Sequence, residues 1–273
     1  MNISEAEVKD FLDNGPWYHT IDFPNGLVSK GVYDHRKFVP MYKIPESLEN
    51  MDVLDVGCSD GFFSFEMERR GAKSILSVDI DKVSGPSAIA HSLIHKEGLD
   101  KKYIERQSQH TRFSNLAQKL GLQISLPILM AIKLLDSKVK FQEHSVYELH
   151  KLGRQFDLVF CGDLVEHLKN PIEAVEELSK ATKTLAIITI ASVATGKRVG
   201  PWLSVLNLAP LLKGRVVTYW GDRGGTFFHF SAPAFVRLLK ASGFSRVEVV
   251  SKFEQRNFKS DIDIPHVVYH AYK

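Results

Sequence analysis

The sequence predicts an α/β fold, a doubly wound and mostly parallel sheet with helices on both faces, and three observations carry that expectation. Apolar runs of strand length alternate with helical stretches along the chain. Val53-Leu54-Asp55-Val56 is one such run; it passes straight into a turn bracketed by Gly57 and Gly61 before a helical period opens at Phe62. Ile75-Leu76-Ser77-Val78-Asp79 is another, and it ends in an acid at its carboxyl tip.

Residues 1–50 read as a cap segment: a short polar helix, then an aromatic stretch punctuated by proline and glycine. The main domain is expected over 51–273, with strands at about 52–57, 74–79, 139–144, 156–161, 184–192, 246–253 and 266–272. Helices fall at 61–71, 171–182 and 232–242. The last has Ser231 as N-cap, proline in its first turn and Gly243 as a C-terminal stop. No repeat or low-complexity tract interrupts this order.

Two segments exceed what such a sheet needs. The first, about 100–138, holds the basic stretch Lys101-Lys102-Tyr103-Ile104-Glu105-Arg106 and then the apolar run Leu126 to Leu135. That run is half a membrane span and is interrupted by Pro127 and Lys133, so a helix packed on the domain is favoured over a membrane or partner surface. The second, about 195–230, contains the apolar run Pro201 to Leu212 and the glycine-rich Gly221-Asp222-Arg223-Gly224-Gly225. A segment that long after the fifth strand lies where open α/β sheets take their substrates, and it reads as an acceptor lid.

The turn itself has a chemistry. Its order is Asp55-x-Gly57-x-Ser59-x-Gly61, which is not the dinucleotide pattern G-x-G-x-x-G. An acid two residues before the first glycine suits a ligand with a positive end, such as the amino group or sulfonium of S-adenosylmethionine, better than a pyrophosphate. The acid at the tip of the second strand suits a ribose hydroxyl pair. On these residues the chain resembles the class I S-adenosylmethionine-dependent methyltransferases, with Asp55 to Gly61 as their first motif and Asp79 as their ribose acid. Phe156 to Cys161 resembles their fourth strand. Trp17 to Ile21, Gly31 to Asp34 and Phe65 to Ala72 resemble a bacterial subgroup labelled as tRNA wobble-uridine methyltransferase-like. The resemblance implies a Rossmann-like, seven-stranded sheet whose last strand is antiparallel, and S-adenosyl-L-methionine as cofactor. It also implies donor contacts from Asp55, Gly57, Cys58, Ser59, Gly61, Asp79, Ser145, Val146, Cys161 and Gly162, with Glu143 or Glu148 standing in for a carboxylate near the adenine amine. Asp60 reads as an exposed hydrogen-bonding cap of the turn. The strap from Trp17 to Arg36 is too aromatic for an idle tail: Tyr18, His19 and Arg36 are either contacts to the methionine carboxylate or the acceptor, or packing.

Composition narrows the class without naming the acceptor. A chain of 273 residues with 44% hydrophobic residues buries one sizeable core. Its formal charge of +3 is too small to argue by itself for a nucleic-acid surface. The two cysteines, Cys58 and Cys161, sit at strand ends and read as thiols of a reducing cytoplasm rather than a disulfide. Met1 to Glu7 lacks a basic region before an apolar core, so no secretory signal is expected, and no apolar run reaches the length of a membrane span.

Methyl transfer from a sulfonium is an in-line displacement, so the protein must align two partners and, for a hydroxyl acceptor, remove a proton. The base candidates are Asp163, Glu166 and His167 just after the fourth strand, with His229 at the end of the lid. His167 equally fits a turn cap or an adenine-side contact, Glu166 a solvated charge, and His229, among Phe227, Phe228 and Phe230, a core histidine. His19 and His144 have less to recommend them. The expected function is O-methylation of a small-molecule or saccharide acceptor by a cytoplasmic enzyme without a metal. One alternative is a tRNA wobble-uridine enzyme using carboxy-S-adenosylmethionine. Its relatives carry a tyrosine where this chain has Glu166, whose charge is expected to repel the extra carboxylate. The other is a non-catalytic, donor-binding partner subunit.

Overall fold

The computed structural model describes residues 3–80, 112–122, 127–191, 216–219, 226–259 and 261–273. The chain divides into two compact units. One comprises Met1–Val39, Pro45–His144 and Arg256–Ile262; the other comprises Pro40–Ile44, Ser145–Gln255 and Asp263–Lys273. The runs 101–106, 201–212 and 221–225 singled out in the sequence lie outside the described residues.

In the first unit, helix α1 (Glu5–Asn14) starts from a capping box: the Ser4 hydroxyl accepts from Glu7 N, and the Glu7 carboxylate accepts from Ser4 N. It buries Phe11 and Leu12, and the Trp17 indole donates to Phe11 O at 2.9 Å, so the aromatic strap begins as packing. Strand β1 (Asp52–Val56) leads through the glycine turn into α2 (Phe62–Arg69) and then β2 (Ser74–Asp79), which pairs parallel with β1 through Val53 and Ile75. Strand β3 (Lys140–Glu143) pairs parallel with β2 and is the exposed edge. Between β2 and β3 lie α3 (Ser114–Lys119) and α4 (Pro127–Leu134). Within the apolar run, Pro127–Leu134 is thus a helix that buries Ile128, Met130 and Ala131. Among the described residues no helix is long and apolar enough to cross a membrane.

In the second unit, β4 (Phe156–Cys161) pairs parallel with β5 (Thr182–Ala191), and β5 pairs antiparallel with β9 (Ile262–Tyr272), Ile188 opposite Tyr269. Helix α5 (Pro171–Ala181) is capped by Asn170 and passes directly into β5, where the Thr182 hydroxyl donates to Leu178 O at 2.7 Å. The short strands β6 (Val217–Tyr219) and β7 (Phe228–Phe230) pair antiparallel, an element the sequence did not suggest because three-residue strands flank a glycine-rich stretch. Helix α6 (Ala232–Ala241) has Ser231 as N-cap, and Gly243 follows it at φ +101°, as expected. Strand β8 (Arg246–Asn257) and β9 both run longer than their apolar cores suggested. The larger sheet has the order β3-β2-β1-β4-β5-β9-β8, the expected seven strands with an antiparallel β9.

Candidate active site

In the first unit, the chain leaves β1 through three left-handed residues, Gly57 (φ +75°), Ser59 (φ +53°) and Gly61 (φ +87°). Gly57 N and Cys58 N both donate to Val78 O, which ties the turn to β2. A Cβ on Gly61 would lie 2.9 Å from the Phe65 ring and 3.1 Å from Ile128. The glycine there is required by the backbone angle and by packing. The turn is pinned to the tip of β2: Asp79 Oδ2 accepts from Ser59 N at 2.9 Å and its Oδ1 from Ile80 N at 2.8 Å. Each carboxylate oxygen retains a second lone pair, so Asp79 is oriented yet still able to accept from a ligand diol.

Asp55 is only 2% exposed. The Ser64 hydroxyl donates to its Oδ2 at 2.5 Å and sits 2.7 Å from Ser77 Oγ. Burial pushes its pKa up to about 7; the Ser64 hydrogen bond and the nearby His19 oppose that, and Asp79 adds to it. Asp60 is not the exposed cap the sequence suggested: it is 1% exposed, and its Oδ2 accepts from both Tyr18 N (2.8 Å) and His19 N (2.7 Å). Its Oδ1 lies 2.5 Å from His19 Nδ1. Arg36, read as either a ligand contact or packing, is held by Asp34 on two nitrogens and by Asp22.

In the second unit, Ser145 caps a short 3-10 turn (Val146–Leu152) by accepting from Tyr147 N, and Val146 is buried beneath it. Glu148, one of the two carboxylates suggested for the adenine side, is ion-paired with Lys151. Cys161 and Cys58 are both buried thiols, neither of them in a disulfide. Gly162 sits where a Cβ would press the Phe160 ring at 3.0 Å. Asp163, at φ +45°, accepts from the Thr189 hydroxyl at 2.9 Å and lies 3.1 Å from His266 Nε2. His266 Nδ1 donates to Ile264 O at 2.8 Å, so both its ring nitrogens are engaged. Burial works against its charge, yet Asp163 and the Ile264 carbonyl together hold its pKa above the usual value. Nothing in the sequence marked His266 or Thr189, which lie inside ordinary apolar strands.

Glu166 is 1% exposed, and its Oε1 accepts from Ala191 N at 2.6 Å. Burial, reinforced by the charge of Asp163, pushes its pKa well above the carboxylate range. Glu166 is thus not the solvated charge offered as one reading of the sequence: it is buried, and burial together with Asp163 favours its neutral form. His167 is half-buried at the end of a 3-10 turn (Val165–His167), and His229 is buried on β7 opposite Thr218. Among the described residues no cluster of His, Cys, Asp and Glu is arranged to hold a metal.

Glu166→Gln follows as a test of that protonation. It should match wild-type stability within ~1 kcal/mol near pH 4, below the ordinary value of 4.5, because the amide still accepts from Ala191 N. The wild-type contribution is full below the unfolded pKa and is lost as pH rises from there toward the raised folded value, so the melting curves should diverge progressively above about pH 5, with the variant higher. Parallel curves at all pH values would show an ionised Glu166.

Residues 36–249 match the family described as methyltransferase domain, and the chain belongs to that family. It is 26% identical over 146 residues to a mitochondrial ubiquinone biosynthesis O-methyltransferase of Dictyostelium discoideum, covering 54% of this chain and 36% of that one. It is also 26% identical over 137 residues to a tRNA U34 carboxymethyltransferase of Helicobacter pylori, covering 50% and 38%. The matches thus span little more than a third of these curated relatives' lengths. Its fold is similar to the N-terminal domain of EvdMO1 with SAH bound, at TM-score 0.55 and 13% identity over 99% of this chain and 97% of that one. The class is that of the S-adenosylmethionine-dependent methyltransferases, with S-adenosylmethionine as cofactor. The residues of the first unit fit that group: a buried acid for a cationic end, and a half-buried, backbone-fixed carboxylate for a diol.

Proposed function

We propose that this protein transfers the methyl group of S-adenosylmethionine to a hydroxyl oxygen of a small, ring-shaped acceptor such as a saccharide or phenol. The observation that carries the reading is the turn from Asp55 to Gly61 locked onto Asp79 through Ser59 N. In this reading Asp79 takes the ribose hydroxyls, Asp55 faces the ammonium end, and the left-handed turn at Gly57 and Ser59 leaves room for the donor. The bound donor supplies an electrophilic methyl carbon, and the protein orients it and excludes water. Similarity to an O-methyltransferase supports oxygen as the acceptor atom, and the small net charge of +3 argues against an extended RNA footprint.

A second reading has a specific observation in its favour. Burial favours the neutral form of Glu166, which removes the like charge opposing carboxy-S-adenosylmethionine, and relatives of the tRNA U34 carboxymethyltransferase type are among the matches. One experiment separates the readings. Purified protein is stripped, offered both donors at equal concentration, and analysed by mass spectrometry. It is then assayed with a panel of monosaccharides, D-fucose among them, with catechol, and with unmodified tRNA. Retention of S-adenosylmethionine and methylation of a small hydroxyl acceptor is the expected result. Selective retention of the carboxylated donor with tRNA turnover would replace it, and donor binding without any transfer would indicate a non-catalytic subunit.

A further inference from the structure

His19 and Asp60 form a dyad that the sequence did not single out. Asp60 is fixed inside the turn between the left-handed residues Ser59 and Gly61, and its Oδ2 accepts two backbone amides of the strap. A carboxylate so engaged is an acceptor, so the 2.5 Å contact from its Oδ1 is to a proton carried on His19 Nδ1. That fixes the tautomer and leaves Nε2 with a lone pair. Among the described residues Nε2 has no hydrogen-bond partner. The ring is held flat against Phe62 at 5.4 Å and edge-on to His35 at 4.8 Å and Phe63 at 5.9 Å, so it cannot swing away from Asp60. Buried Asp55 stands within electrostatic reach of the ring.

Three other titratable groups are less suited to accept a proton: both ring nitrogens of His266 are engaged, Asp163 is held by His266 and Thr189, and burial disfavours the charged form of Glu166. We infer that His19 is the general base of the methyl transfer, with Asp60 as the positioning residue that sets its tautomer, an inference that rests on the function proposed above. His19 Nε2 takes the acceptor's hydroxyl proton. The hydroxyl oxygen bonds to the methyl carbon, the carbon–sulfur bond breaks, its electron pair stays on sulfur, and a neutral thioether leaves. The positive charge of the sulfonium is thereby passed to the imidazolium, which Asp60 stabilises, as carboxylate–histidine pairs do. The groups facing the ring are Asp60, Asp55 and His35, with Tyr18, Phe62 and Phe63 as its aromatic walls.

The test combines a spectroscopic and a kinetic readout on the full chain. Nitrogen-15 spectra of histidine-labelled protein, assigned with His19→Gln, should show Nδ1 protonated and Nε2 bare at pH 8, both free and with S-adenosylhomocysteine. Asp60→Asn should mix the tautomers. With D-fucose and catechol as acceptors, His19→Gln should lower kcat at least 100-fold while changing S-adenosylhomocysteine affinity less than threefold. Asp60→Asn should lower kcat without a matching rise in KM, and the double variant should be no slower than His19→Gln. A proton on Nε2 at pH 8, a kcat within threefold of wild type, or donor affinity lost in parallel with kcat would overturn the inference. Failure of the wild type to bind S-adenosylhomocysteine would instead overturn the function beneath it, and the tautomer spectrum of the free protein tells the two failures apart.

Discussion

Asp79→Ala is expected to weaken S-adenosylhomocysteine binding by about 30- to 150-fold, the equivalent of roughly 2–3 kcal/mol. Two losses contribute. The ribose would lose a charge-assisted acceptor, and the turn would lose its anchor, because Asp79 is what holds Ser59 N and Ile80 N. Asp79→Asn separates them. It keeps a carbonyl oxygen for one amide while removing the charge, so its affinity should fall about tenfold with little change in melting temperature. Calorimetry on the three proteins is the measurement. Affinity unchanged in Asp79→Ala would sink the assignment of the donor to this turn, whatever became of stability.

What the sequence revealed follows from which forces act locally. The strands β2 and β4 were legible to the residue because each is a compact apolar run bounded by polar residues, and α6 because Ser231 and Gly243 punctuate it. The extra residues of β8 and β9, 254–257 and 262–265, were not, because they mix polar and apolar types with no apolar run among them. The same division holds in the candidate site. Asp55 and Asp79 could be read because their spacing from glycine and strand is local. The His19–Asp60 contact joins residues 41 apart, and the Asp163–His266 contact joins residues farther apart still, so neither leaves a periodicity or motif. Glu166 was misread for a related reason: its residue type signals charge, and only its burial, which raises its pKa, shows that the charged form is disfavoured.

The remaining large effect is a pH dependence in which stability and donor affinity move in opposite directions. Asp55 has its pKa pushed up to about 7 by burial, well above the ordinary aspartate value of 3.8. Between those two values the folded protein keeps a proton that the unfolded chain has lost. Stability of the free protein should therefore fall as pH rises through that window and level off above pH 7. A cationic ligand end prefers the ionised carboxylate, so donor affinity should rise over the same titration. A group of pKa about 7 is roughly one-tenth ionised at pH 6 and nine-tenths at pH 8, which gives an increase of about tenfold in S-adenosylhomocysteine affinity between them. Asp55→Asn should abolish both slopes. It keeps an acceptor for the Ser64 hydroxyl, melts higher than wild type at pH 8 because no charge need be buried, and binds the donor at least tenfold more weakly there. The paired measurement is calorimetric affinity and thermal melting from pH 5 to 9 on both proteins. If wild-type affinity is flat while the melting slope is present, Asp55 titrates but does not face the ammonium group. If the melting slope is missing, the carboxylate is already ionised in the free protein and its burial is offset by partners beyond Ser64 and His19.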